Sequence, residues 1–442
     1  MTENRELKLA VGILTAKTVD IEFVKGFSAV GIFRFEAASF VPRRFEPTEP
    51  QSVFEIKNVV IGIGFHWERK ENQRFTGAVE LKRDEQDNIV VINHVDIEDY
   101  IKSVISSEMS ASATPEFLKA HAVISRSWVL AQILAPKQSH DIPSLSSPKQ
   151  PVSHLNPRDR QDEVVRWYDK EQHKLFDVCA DDHCQRYQGL TRQTMPGVEL
   201  AVEATRGLVL AYNGELCDAR FSKCCGGATE EFRYCWEEAS PGYLKAFVDA
   251  AGDKKLPDLQ MENNAAEWIE SRPEVFCNTS DQSILEQVLN SYDRETPDFF
   301  RWSVSYSSSV LGDLVRRKSG RDLGAIIDLQ PLARGKSGRI YRLRIVGEKG
   351  SVTVGKELEI RRWLSESHLY SSAFIVRKFV DTEGNPSFRL DGAGWGHGVG
   401  LCQIGAAVMS SEGYDYRQIL NHYFPGTELE HYTQLAHNER KN

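Results

Sequence analysis

Apolar positions along the first ninety residues fall in short runs separated by polar turns. Leu7 to Leu14, Val53 to Phe65 and Val79 to Lys82 have strand-like apolar content, and the polar turn at 84–88 leads into Ile89 to Ile92. From Ile97 the spacing changes. Ile97, Tyr100, Ile101, Val104 and Ile105 recur at i, i+3, i+4, i+7 and i+8, the apolar stripe of an amphipathic helix with Asp96 as its N-cap. Residues 106–112 interrupt the stripe. Thr114, as N-cap, with Pro115 and Glu116 then begins a second helix, whose stretch from Phe117 to Ile133 is apolar on nearly every side and is predicted to be buried.

Later segments alternate. Residues 135–160, rich in Pro, Ser, Lys and Gln, read as a mobile surface insertion, and helix is expected from Asp162 to Lys174. Asn213-Gly214 between two apolar runs is a hairpin signal. Residues 253–300 are patterned as helix and 338–360 as strands; glycines at alternate positions from Gly392 to Gly400 read as a strand bare on one face. A helix follows near 403–410, then a capping box at Asp415 to Gln418. The class is α+β, with a β-rich segment at 1–95, a core at 96–250, a mostly helical insertion at 251–335 and a β/α segment at 336–442. A groove is expected between the helical pair and the β-rich walls.

The formal net charge of −9 leaves no basic excess to neutralise phosphates, which argues against a nucleic-acid partner. No run approaches the roughly 20 apolar residues of a transmembrane helix, and charges interrupt the N-terminus before any signal-like apolar stretch. The eight cysteines are scattered, with Cys224 and Cys225 adjacent, which does not read as a disulfide framework.

Several constellations carry chemistry. Glu108, in the turn after the amphipathic helix, is placed to act as a general acid if shielding keeps it protonated; the alternative is an exposed carboxylate at a helix end. Arg126, among apolar neighbours, needs an anionic partner, which can be Glu108, a substrate group or a structural ion pair. His173, Cys179 and Cys184 have the residue types and spacing of a zinc site, with the fourth ligand not evident and His183 seeming poorly placed beside Cys184. Cys225 with His397 as base is a conceivable nucleophile, although nothing local activates the thiol. Trp395, His397 and Gln403 in and beside the glycine run offer a platform and hydrogen bonds to a sugar, and no dinucleotide-binding pattern or organic cofactor is implied.

Together these strings resemble the stage II sporulation protein D family (SpoIID/LytB). The segment from Ile97 to Met109, IEDYIKSVISSEM, resembles that family's LEDYLxGVVPSEM, with Glu108 at its catalytic glutamate. LKAHAVISRSW from Leu118 to Trp128 resembles LKAQAVAARTY and puts Lys119 and Arg126 at active-site positions. The loop Ser222 to Glu230, with Ser222, Cys225, Gly226, Gly227 and Thr229, resembles STSGGxTE; the glycine run resembles GWGHGVGMSQYGA, and His422 to Thr427 the closing HYYPGT.

The resemblance implies a lytic transglycosylase that cleaves the MurNAc–GlcNAc bond of peptidoglycan strands free of stem peptides, leaving a 1,6-anhydro end. It also implies a zinc ion at His173, Cys179 and Cys184. A glycan-binding module that recruits or enhances an amidase is the alternative, and a zinc- or cysteine-dependent hydrolase a third reading. The chain departs from the family pattern at His121 (glutamine in the family), Cys224 and Cys225 (small hydroxyl residues), Cys402 (serine) and Ile404 (aromatic).

Overall fold

Period-two burial in the first hundred residues builds two sheets. In the computed structural model, which describes residues 7–62, 68–110, 113–134, 162–167, 173–181, 183–191, 196–289 and 298–438, Lys8–Ala16 pairs antiparallel with Ile89–Asp96, and the sheet continues through Ala78–Arg83 to Arg43–Phe45. Thr18–Lys25 lies between Gly31–Glu36 and Val53–Ile61 in a second sheet, with Arg69–Phe75 at its edge. Val19, Ile21 and Phe23 point inward with Phe54, Ile56 and Phe75, as alternation requires.

Helix α1 (Ile97–Glu108) starts where the strand Ile89–Asp96 stops, and the Asp96 carboxylate accepts the Glu98 N–H as N-cap. It outruns the apolar stripe by three residues. Ser103, Ser106 and Ser107 are buried, and the Ser107 hydroxyl satisfies itself on the Ser103 carbonyl, so small polar residues extend the packed face to Glu108. Helix α2 (Pro115–Leu134) is buried almost continuously from Phe117 to Leu130, as expected.

One buried ion pair joins these helices. Arg126, fully buried, donates Nε and Nη2 to the two carboxylate oxygens of Glu98 at 3.0 and 2.6 Å and Nη1 to the Leu208 carbonyl at 2.9 Å. Glu98 also accepts the Gly207 N–H. Leu208–Tyr212 then forms the expected hairpin with Glu215–Leu216 across Asn213-Gly214, and Glu428–His431 pairs on its other side.

A second apolar core gathers around Leu343, Ile345, Val354, Phe374 and Leu390. Its sheets run Ile326–Arg334, Ile340–Gly347, Gly350–Gly355 and Glu163–Val165, and Arg301–Ser307, Pro386–Ala393 and Phe374–Val380. The molecule is α+β. No helix among the described residues is long and apolar enough to cross a membrane.

Four expectations change. Glu163–Val165 is a strand, because it adds parallel to Gly350–Gly355, where the helix was expected. Among the described residues of 253–300, only Glu262–Glu270 and Gln282–Val288 are helical. The 251–335 segment also contributes the strands Arg301–Ser307 and Ile326–Arg334. The glycine run leaves its strand at Ala393: Gly394, Gly396, Gly398 and Gly400 all have φ between +73° and +91°. Glycine is there for left-handed backbone, not for a bare strand face. The insertion at 135–160 lies outside the described residues.

Replacing Arg126 by Met leaves Glu98 buried without its cation. Urea unfolding of Arg126→Met should show a loss of about 3–5 kcal/mol, the usual cost of stranding one partner of a buried pair.

Candidate active site and metal centre

Glu108 is the last residue of α1 and is partly buried. The N–H of Arg186 donates to its Oε1 at 2.9 Å, which fixes the orientation of the carboxyl group. Lys223 comes from the 222–230 loop and donates its Nζ to the main-chain carbonyls of Glu108 at 3.5 Å and Val288 at 3.2 Å. The loop therefore reaches the end of α1. The contact is made by Lys223, which spacing alone did not single out.

Arg186 is delivered by a segment that also carries the candidate metal ligands. Val178–Cys179 adds parallel to the edge strand Lys8–Ala16. Beyond it the chain folds back, so that His173, Cys179, His183 and Cys184 present donor atoms all within 4.8 Å of one another. Cys184 Sγ lies 3.5 Å from His173 Nε2 and 3.5 Å from His183 Nδ1, and Cys179 Sγ is 3.9 Å from the latter. The neighbouring Cys184 sulfur, then the two imidazoles, hold the Cys179 thiol far below its usual range against the opposing effect of burial. His183 thus supplies the missing fourth donor. Adjacency to Cys184 did not disqualify it, because the His183 Nδ1 and Cys184 Sγ atoms turn toward each other, 3.5 Å apart. Two sulfurs and two ring nitrogens form a closed set suited to zinc. Tyr100 on α1 packs beside this centre, its hydroxyl bonded to Gln185.

The other sequence candidates disperse. Arg126 is the partner of Glu98 and does not meet Glu108. Lys119 pairs with Glu116 at 2.6 Å and sits over the Tyr416 ring, one face of α2 away from the site. Thr229 is buried, with its hydroxyl on the Lys245 carbonyl. Gly226 is tight against the backbone of Ala393 and Gly394, and Gly227 faces Trp268, so both glycines serve loop-to-loop packing. Trp395 is half-buried and stacks on Phe299 with ring centres 4.8 Å apart. His397 accepts the Val399 N–H at Nδ1, and burial, then Arg220 and Arg339, drive its pKa well below the ordinary value. Cys225 is buried, and burial pushes its thiol up; its sulfur meets Asp249 and Cys277, not His397. Ser222 is buried, and its hydroxyl has no partner among the described residues.

Gln403 is also interior. Its amide nitrogen lies 3.2 Å from His121 Nε2, while His121 Nδ1 is 3.0 Å from the Ser125 hydroxyl. Both side chains are buried, so Gln403 is occupied by the protein and not by a sugar.

Residues 85–212, which include α1, α2 and the His173, Cys179, His183 and Cys184 donors, match the family model described as Stage II sporulation protein; residues 230–400 match a domain of unknown function, DUF8618. The chain is similar to stage II sporulation protein D of Bacillus subtilis, with 23% identity across 76% of this chain and 75% of that protein. Residues 85–212 form a SpoIID-family domain. An uncharacterized protein of Brachyspira hyodysenteriae is 26% identical over 79% of this chain and 70% of its own length. The amidase enhancer of Bacillus subtilis is 27% identical over 52% of this chain, which spans only 32% of that relative.

His121 gives this protein an acid-sensitive core. Burial first, and then the Lys223 charge, lower its pKa to about 3. The folded state therefore holds the neutral ring while the unfolded chain takes up a proton below its ordinary value of about 6.5. That contribution is complete above pH 6.5 and falls by about 1.4 kcal/mol per unit as pH drops toward 3. Between pH 7 and pH 4.5, His121→Gln should lose about 2–3 kcal/mol less stability than the parent, measured by urea midpoints at the two pH values.

Proposed function

We propose that this protein is a peptidoglycan lytic transglycosylase in which Glu108 alone is both acid and base. The observation that carries the reading is the Arg186 N–H on Glu108 Oε1: a carboxyl group at a helix end is aimed by a segment folded around a four-donor metal set. The SpoIID-family domain and the matching position of Glu108 in its motif support the same reading.

In this mechanism the protonated Glu108 gives its proton to the glycosidic oxygen as the C1–O bond of MurNAc breaks, leaving an oxocarbenium-like sugar. The resulting carboxylate takes the proton of the C6 hydroxyl while that oxygen bonds to C1. The products are a GlcNAc-terminated fragment and a 1,6-anhydroMurNAc end, with no water consumed. Lys223 holds the main chain at the end of α1, and Arg186 holds the carboxyl orientation. The absence of stem peptides from the preferred strands is part of the proposal.

We assign zinc to His173, Cys179, His183 and Cys184. A closed set of four protein ligands supports a structural ion that fixes the 173–190 segment. It disfavours the metal-hydroxide reading, which requires an open coordination position. Replacing Cys184 by Ser should remove that ion and, with Arg186 no longer held, lower the rate of strand cleavage at least tenfold. Zinc content and product release are the two readouts.

The name of the amidase enhancer of Bacillus subtilis favours a second reading, a non-catalytic glycan-binding partner of an amidase. Denuded glycan strands incubated with the parent and with Glu108→Gln separate the two. Mass spectrometry should find 1,6-anhydro ends with the parent only, while Glu108→Gln keeps binding the strands. Equal products from both, or none from the parent with binding intact, would remove the transglycosylase assignment.

A further inference from the structure

A second group of metal-type donors lies in the interior, away from the set at 173–184. Cys225, Asp249, Cys277 and Cys402 are all buried, and their donor atoms lie within 4.8 Å of one another. Cys225 Sγ is 3.5 Å from Cys277 Sγ and 3.2 Å from Asp249 Oδ2. Four tetrahedral ligands about 2.3 Å from zinc sit about 3.7 Å apart along each edge, so these spacings are those of donors around one ion. A cubane iron–sulfur cluster needs its thiols spread much farther apart.

The surroundings are built for such an ion. Asp249 turns its other oxygen, Oδ1, to His422 Nε2 at 3.1 Å and to the Tyr423 hydroxyl at 2.8 Å, which aims Oδ2 at the sulfurs. Backbone N–H groups point at the sulfurs: Cys225 N–H to Cys402 at 3.2 Å, Gly405 N–H to Cys402 at 3.5 Å and Gly227 N–H to Cys225 at 3.4 Å. Such outer contacts orient metal ligands and offset thiolate charge. A side chain at Gly405 would start 2.5 Å from Asp249 Oδ2, so only glycine leaves room for the carboxylate there. Two guanidinium groups border the loop: the half-buried Arg301 donates to the Gly226 carbonyl and the buried Arg339 to that of Cys225. They counter the negative charge that three thiolates and a carboxylate retain around a divalent ion.

We propose that Cys225, Asp249, Cys277 and Cys402 bind a second zinc-class divalent ion, which clamps the 222–230 loop to the start of the helix Gln403–Ser411. The ligands come from four separated stretches of chain, so the ion acts as a staple that holds Lys223 against the end of α1. Two of the ligands, Cys225 and Cys402, are positions at which the chain departs from the family pattern, and they meet in space. The inference is independent of the role proposed for Glu108.

The test is zinc stoichiometry on full-length protein purified under reducing conditions. The parent should carry about two ions per chain, Cys277→Ser about one, Cys184→Ser about one, and the double variant none. Circular dichroism checks that each variant is folded. Unchanged zinc content in folded Cys277→Ser would overturn the proposal, as would a Cys225–Cys277 disulfide in the reduced preparation. Should Cys277→Ser not fold, cobalt loading of the parent decides. Two cobalt ions, with thiolate charge-transfer absorption greater than two cysteines supply, support the second site. A single ion with two-thiolate absorption sinks it.

Discussion

The pairing of Arg126 with Glu98 is the constraint on which the rest of the site stands. It lies in a fully apolar setting, so the two charges are tolerable only in the register that gives a bidentate contact plus bonds to Gly207 and Leu208. A slip of α1 against α2 by one residue would bury two uncompensated charges. The pair thereby fixes where α1 ends, and with it where the Glu108 carboxyl group emerges. The hairpin that follows Gly207 is fixed by the same bonds.

From there the geometry propagates along two routes. One runs through the edge strand Lys8–Ala16, which accepts Val178–Cys179 and positions the segment that places the Arg186 N–H on Glu108. The other runs through Phe221–Ser222, paired parallel with Leu401–Cys402, which puts Lys223 beneath the helix end. Each route has a cluster of metal-type donors along it. The end of α1 is thus set by its own packing and by two distant loops that meet it from different sides.

Much of this was legible in the sequence because it is written in local patterns. The stripe Ile97 to Ile105, the cap at Asp96, the turn Asn213-Gly214 and the capping box at Asp415 depend on residues within a few positions of one another, and each forms as expected. What spacing could not reveal was long-range pairing. Arg126 announced that it needed an anion, but Glu98 was 28 residues away and drew no notice as an exposed-looking helix residue. His183 was set aside because adjacent side chains usually diverge, yet those of His183 and Cys184 converge. Cys277 carried no local signal at all; it acquires meaning only when Cys225 and Cys402 arrive beside it. Glycines at alternate positions fit both a bare strand and a chain of left-handed turns, and only the partner loop decides between them.

The parallel bridge between Phe221–Ser222 and Leu401–Cys402 also bears on how the molecule comes into being. Its two halves are 180 residues apart in the chain, a contact of very high sequence separation that forms late in folding. At typical rates of synthesis the second half follows the first out of the ribosome by roughly 9–36 s. Throughout that interval α1 and α2 can already be packed, while the loop bearing Lys223 lacks the parallel partner Leu401–Cys402. A nascent chain therefore holds its glutamate without the wall beside it, and the finished arrangement appears only when nearly the whole polypeptide is available.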